Sequence, residues 1–209
     1  MKPKLRFKEF TDDWEEKKLG EIGTFSKGKN LSKKDIDENG IKPCILYGEL
    51  YTKYSEVINK VFSNTNVTEN IIIGRKNDIL IPSSGESPKE IAIASVLNID
   101  NVALGGDINI YKTDMNGFFI SYFLRKNTKK LSSVAQGATV VHLYSNSLKN
   151  IKIQLPSLPE QEKIGTFLSL VDQRIEKAEK KVSLLGKFTE GREKRLDAKI
   201  IPTRNSLQR

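Results

Sequence analysis

Gly23-Thr24-Phe25-Ser26-Lys27-Gly28-Lys29-Asn30 falls one residue short of a phosphate-cradling loop, G-x-x-x-x-G-K-[ST]. In such a loop the glycines let backbone N–H groups surround a phosphate, the lysine reaches the outer oxygens, and a hydroxyl holds magnesium. Here Asn30 stands where the hydroxyl belongs. The context fails as well. Lys17–Ile22 does not read as a buried parallel strand, and Asn30-Leu31-Ser32-Lys33-Lys34-Asp35 carries no helical apolar stripe. The segment argues against nucleotide binding.

Other routes to catalysis are equally bare. His142 is the only histidine, set beside Val140, Val141 and Leu143, so no Ser/His/Asp or Cys/His set can be assembled with confidence. The E-x-K triplets at Glu16-Lys17-Lys18 and Glu179-Lys180-Lys181 are what chance gives in a chain that is 29% charged. Neither a Gly-rich loop for S-adenosylmethionine nor an Asn/Asp-Pro-Pro-aromatic amino-methylation motif is present. The single Cys44 excludes an internal disulfide framework and a Cys-rich zinc site. The sequence argues against catalysis by this chain, and no metal ligands are assigned.

What remains chemically expressive are polar loops. Ser83, Ser84, Gly85, Glu86 and Ser87 form one; Gly105, Gly106, Asp107 and Asn109 a second; Gln136, Gly137, Thr139 and His142 a third; Tyr47, Gly48, Tyr51 and Thr52 a fourth. Glycine lets a backbone approach a ligand closely. Gln and Asn can pair with adenine, carboxylates accept from the cytosine amine, and Ser and Thr serve either role. The same residues also make ordinary turns. A net charge of +9 and a pI near 9.4 suit a polyanion such as DNA or RNA, although many basic proteins never touch one. The excess is spread: residues 158–209 hold 12 basic and 8 acidic residues, and the rest hold 23 and 18.

The elements that would carry these loops read as a mixed domain over residues 1–156. Short β-branched runs predict strands at Ile71–Ile73, Ile79–Ile81, Ile91–Leu97, Ile108–Tyr111 and Val140–Leu143. Breaks fall at Asn39-Gly40, Ser83-Ser84-Gly85, Gly105-Gly106 and Gln136-Gly137. A helix is expected over Phe118–Leu124, with Phe119, Tyr122 and Phe123 as a core-facing stripe. The fold class expected is α+β: a mixed, mostly antiparallel domain followed by one long C-terminal α-helix.

That helix is expected over 157–201. Ile164, Leu168, Val171, Ile175, Ala178, Val182 and Leu185 are spaced 4-3-4-3-4-3, the narrow seam of a coiled-coil partner. Ser157 reads as the N-cap, Glu160 as its capping-box partner, and Pro159 fits the first turn. A helix from 158 to 199 would be roughly 60 Å long. Gly186 and Gly191 each cost about 1 kcal/mol relative to Ala, so the far end is weaker. Leu196 and Ile200 can resume the seam, Pro202 ends it, and 202–209 reads as a flexible tail. One such seam does not bury itself; it needs its own domain, a second helix or another chain. The N-terminus has no apolar leader and the longest apolar runs are too short to span a bilayer, so a cytoplasmic protein without membrane contact is expected.

The run LPSLPEQEKIGTFLSLVDQRIEKAEKKVSLL (155–185) resembles the helical spacer of specificity (S) subunits of type I restriction-modification enzymes. PKLRFKEFTDDWEEKKLGEIGTFSKGK (3–29) is similar to the opening of a target recognition domain in that family. ILYGELYTKY (45–54), ILIPSSGES (79–87), GGDINIYK (105–112) and QGATVVHLYSNSLKNIKIQLP (136–156) resemble it further, in the family's order.

The resemblance implies a non-catalytic subunit that reads half of a bipartite double-stranded DNA target. Lys27, Lys29 and Asn30 would lie in a basic loop against the DNA backbone, and the four polar loops would face the bases. A methyltransferase (modification) subunit would dock on the helix, and a restriction/translocase subunit would join. S-adenosylmethionine, ATP and Mg would sit only on those partners. Family S subunits carry two such domains and two antiparallel helices. One copy of each implies a half-length subunit that homodimerises through the seam. The alternatives left open are a coiled-coil protein-interaction adaptor, or a nuclease or methyltransferase domain with an unrecognised site.

Overall fold

The computed structural model of the chain describes residue 3 and residues 5–200, with side chains to residue 189. It divides into two compact units, the first running to Phe167 and the second starting at Leu168.

The first unit is built on two sheets. The larger has five strands in the order Gly23–Lys27, Ile108–Thr113, Ile79–Pro82, Ser95–Leu97, Val57–Ile58. Its pairs are antiparallel except the last, Val57–Ile58 beside Ser95–Leu97. The smaller has four strands, Ser63–Thr65, Lys42–Ile45, Val102–Leu104 and Ile72–Gly74, with one parallel pair in the middle.

The central strand Ile79–Pro82 is apolar and buried along its whole length because both faces of the larger sheet are covered. Side chains alternate across a strand, so Ile79 and Ile81 enter one core with Phe119, Ile120, Leu124, Leu148 and Ile153. Leu80, Ile108 and Ile110 enter another with Ile45, Leu97 and Leu104 of the strands around them. The helix Gly117–Lys126 covers the first face, capped by Asn116, whose side chain accepts from Phe119 N–H. The architecture is α+β, mixed and mostly antiparallel, followed by the long helix Leu158–Ile200.

Two expectations are corrected. Ile91–Leu97 is not one strand: Pro88–Ile91 is a helical turn, and only Ser95–Leu97 is extended. The turn starts from a true capping box, Ser87 Oγ accepting from Glu90 N–H and the Glu90 carboxylate from Ser87 N–H. At the long helix the expected box does not form in that way. The Ser157 carbonyl does open the helix by accepting from Gln161 N–H at 3.0 Å. Glu160, however, is fully buried, and its carboxylate receives Arg6 in a two-pronged pair at 2.7 Å and Trp14 Nε1 at 3.3 Å.

Those contacts belong to a strap. Glu15–Lys18 pairs antiparallel with Lys152–Leu155, carrying the N-terminal segment to the point where the helix begins. Phe7 then packs edge-on against Phe167, and Lys163 lies over the Phe7 ring and pairs with Glu9. The first turns of the helix, Leu158–Phe167, thus belong to the first unit.

The second unit is helical and continues through Gly186. Of the predicted seam, Ile164 packs on the first unit's core, and Leu168 and Val171 are half-buried. Ile175, Ala178, Val182 and Leu185 are exposed, as are Leu184 and Phe188. The side chains of Leu196 and Ile200, and everything from Pro202 on, lie outside the described residues.

Candidate nucleic-acid interface

Backbone hydrogen bonds link the polar loops one to the next. Gly28 N–H donates to Ile108 O at 3.0 Å, and Lys29 N–H to Leu104 O at 3.1 Å. Gly105 N–H reaches Ile45 O, just before Tyr47, and Gly106 N–H reaches Leu31 O. Ser83 N–H donates to Asp107 O at 2.8 Å, and Leu143 N–H to Ser83 O at 3.0 Å. Ser84 pairs with His142 and Gly85 with Val141, while Gln136 and His142 exchange bonds of 2.9 and 2.7 Å. Sites scattered over more than a hundred residues of sequence thereby become neighbours.

The basic segment is mostly strand. Gly23–Lys27 pairs with Ile108–Thr113 along its length, so its backbone is extended and cannot wrap a phosphate as a nucleotide loop does. Only the turn after Lys27 is loop. A Cβ on Gly28 would sit 1.9 Å from Gly105 O, so glycine is required for this turn to lie against the Gly105 loop. Asn30 takes a left-handed backbone (φ 55) and donates to Asn70 O at 2.9 Å. Lys27, Lys29 and Asn30 are all exposed.

The helix Tyr47–Thr52 and the Gly106–Asp107 turn share an open groove of about 980 Å³, also lined by Lys33 and Lys53. Tyr47 and Thr52 are exposed and Tyr51 half-buried, the two tyrosine rings 6.4 Å apart. Burial pushes the Tyr51 hydroxyl above its usual range, with Tyr47, Glu90 and Glu86 adding to the effect. At the groove floor the Glu49 carboxylate holds Lys53 at 2.7 Å and Ser63. Burial raises the neighbouring Cys44 thiol to about 11, with Glu49 reinforcing it.

Burial sorts the sequence candidates into two groups. Glu86, Asp107, Gln136, Gly137 and Thr139 are exposed, and Gly106 and His142 half-buried. Ser83, Ser84, Gly85 and Gly105 are buried under them. Asn109 is fully buried and spends its amide inside the protein: Nδ2 donates to Leu143 O at 2.9 Å and Oδ1 accepts from Ser145 Oγ at 3.1 Å. It therefore holds the 143–145 segment and cannot present itself to a base. Sequence reading missed Tyr144, 47% exposed and stacked on His142, and Val140, 51% exposed. It also missed Lys33 and Lys53, whose only signal was their place beside loops already chosen. No group of three or more His, Cys, Asp or Glu among the described residues could hold a metal ion. No helix among them is long and apolar enough to cross a membrane.

An α+β domain whose polar loops are tied together by backbone hydrogen bonds, followed by a long helix whose apolar seam is exposed from Ile175 on, defines an architectural class: a compact mixed domain with a helical spacer. A family profile described as "Type I restriction modification DNA specificity domain" matches residues 11–184, and the chain belongs to that family. The type I restriction enzyme MjaVIII specificity subunit of Methanocaldococcus jannaschii is 26% identical over 207 residues, covering 95% of this chain and 45% of that one. The MjaIX specificity subunit of the same organism is 27% identical over 192 residues, 84% of this chain and 42% of the relative. Among solved structures, the type I restriction-modification S subunit from M. genitalium superposes with a TM-score of 0.63 at 20% identity. That match covers 85% of this chain and 43% of the other. The chain thus spans less than half the length of these curated relatives.

Proposed function

We propose that the chain is the DNA-reading part of a type I specificity subunit, reading half of a bipartite duplex target without catalysing a reaction itself. The backbone bonds that tie together the segments around Lys27–Asn30, Gly105–Asp107, Ser83–Glu86 and Gln136–His142, with Tyr47–Thr52 lining the same groove as Gly106–Asp107, support this reading most directly. The exposed members, Lys27, Lys29, Glu86, Asp107, Gln136 and Thr139 among them, are of types that can neutralise phosphates and meet base edges. The exposed seam at Ile175, Val182 and Leu185 would pair with a second copy, restoring two recognition domains on two helices. A methyltransferase subunit would dock on that assembly and methylate an adenine, and a restriction/translocase subunit would cut. S-adenosylmethionine, ATP and Mg would belong to those partners, and the complex would work in the cytoplasm.

The test is the salt dependence of duplex binding, followed by anisotropy of a labelled duplex. Lys27→Ala and Lys29→Ala each remove one phosphate contact. Each should weaken binding to every sequence alike and flatten the log–log salt slope by about 0.9. An unchanged slope in both would remove this turn from the interface, and a chain that binds no duplex would end the reading.

A further inference from the structure

Asp107 is out of place on a surface meant for phosphates. It stands at the tip of the Gly105-Gly106-Asp107 turn, exposed, and its backbone carbonyl is fixed by Ser83 N–H at 2.8 Å. Gly105 beneath is packed against Leu46 and the backbone of Leu31 and Ile45, whereas a Cβ on Gly106 would meet nothing within 4 Å. The tip thus has a rigid base and an open front. The lysine turn at Gly28 abuts Gly105, and Lys33 and Lys53 line the groove alongside. Lys53 is already committed to Glu49 at 2.7 Å. Among the described residues Asp107 makes no ion pair, and its one side-chain hydrogen bond is a long 3.4 Å contact from Ser83 Oγ.

We infer that Asp107 is a base-reading residue that selects an exocyclic amine, cytosine N4 or adenine N6, at one position of the target. This rests on the DNA-reading function proposed above. A carboxylate only accepts hydrogen bonds. Against a phosphate it repels. In the major groove only cytosine and adenine offer it a donor, while guanine and thymine present acceptors at the corresponding edge. The carboxylate therefore selects by repulsion as well as by attraction.

The competing role is purely conformational, since Asp107 has a left-handed backbone (φ 58) and Asp or Asn suits that region. Asp107→Asn separates the two roles, because Asn keeps the turn and adds a donor where there was only charge. The full chain, the Asp107→Asn variant and the Lys29→Ala variant are each taken through selection on duplexes with a randomised central stretch. The unaltered chain should enrich one base pair at one position, a G·C pair naming cytosine N4 and an A·T pair adenine N6 as the amine.

Asp107→Asn should reduce that preference by about tenfold at this position alone. Lys29→Ala should weaken binding to every duplex alike, the signature of a backbone contact and not of a base contact. The same motif and ratios in the Asp107→Asn variant would overturn this inference while leaving DNA reading in place. Loss of selectivity at every position by a variant that melts normally would overturn it too, in favour of a loop-holding role. No motif from the unaltered chain would end both readings.

Discussion

Asn109→Ala tests whether the proposed recognition surface is held from beneath. Asn109 sits in a central strand, fully buried, and its amide is the side-chain tie between that strand and the 143–145 segment. Removing it leaves the Leu143 carbonyl without its donor in a fully buried residue. An unsatisfied buried group costs about 1–3 kcal/mol. Ser145 is only half-buried and can turn its hydroxyl to water, so its loss adds little. The expected total is about 2 kcal/mol, or about 4–8 °C of melting temperature for a protein of this size.

Asn109→Asp sharpens the test. It places an acceptor where a donor met the Leu143 carbonyl, and burial disfavours its charge, so its folded pKa rises above the unfolded value of about 3.9. With a raised folded pKa, stability is retained below the unfolded pKa and lost as pH climbs. The Asp variant should therefore approach the parent near pH 4 and fall behind toward pH 7, whereas the Ala deficit should not vary with pH. Thermal unfolding followed by circular dichroism between pH 4 and 7 measures both. An Ala variant within 1 °C of the parent, or an Asp deficit flat with pH, would refute the argument.

The remaining predictions concern the seam and the buried thiol. Ile175 and Val182 are 50% and 69% exposed, so Ile175→Asp/Val182→Asp should cost the folded chain little yet convert a dimer to a monomer in light scattering. A monomeric parent would exclude self-pairing through this helix. Cys44, fully buried with its thiol raised to about 11, should be about one part in a thousand thiolate at pH 8. Iodoacetamide should label it at least about a hundredfold more slowly than a free cysteine until urea unfolds the chain; equal rates would show the site to be open.

Sequence reached the fold where local signals agree with the tertiary outcome. Ile79–Pro82 and Ile108–Thr113 are β-branched runs that become central strands. The helix expected over Phe118–Leu124 forms as Gly117–Lys126, with Asn116 as its N-cap. Glu15–Lys18 and Gly23–Lys27 escaped notice because they are charged or polar edge strands, specified by partners far along the chain. The Ser-x-x-Glu signal resolves in opposite ways at Ser87 and at Ser157. At Ser87 it makes the capping box, although it lay beside a run read as strand. At Ser157 the glutamate goes to Arg6, 154 residues away. A buried carboxylate needs a charged partner more than a helix start needs a second cap bond, and no window around residue 160 contains that partner.

The candidate site was legible as a set of loops but not as exposed and buried positions within them, and the reason is geometric. Asp107 and Asn109 are two residues apart and similar in size and polarity, yet one stands in open space and the other is sealed beneath it. Between them the chain passes from a turn anchored by Ser83 into a strand flanked by Lys27 and Ile81. Composition treats Ser83, Asn109 and Asp107 as equivalent hydrogen-bonding residues. Burial makes the first two struts and leaves the third exposed. That division fits a surface that must change its reading without losing its shape: substitutions at the exposed tips alter what is met, while the buried amides and serines keep the tips in register. On this argument, exchanging Asp107 should alter a base preference, and exchanging Asn109 should lower the melting temperature and loosen every preference together.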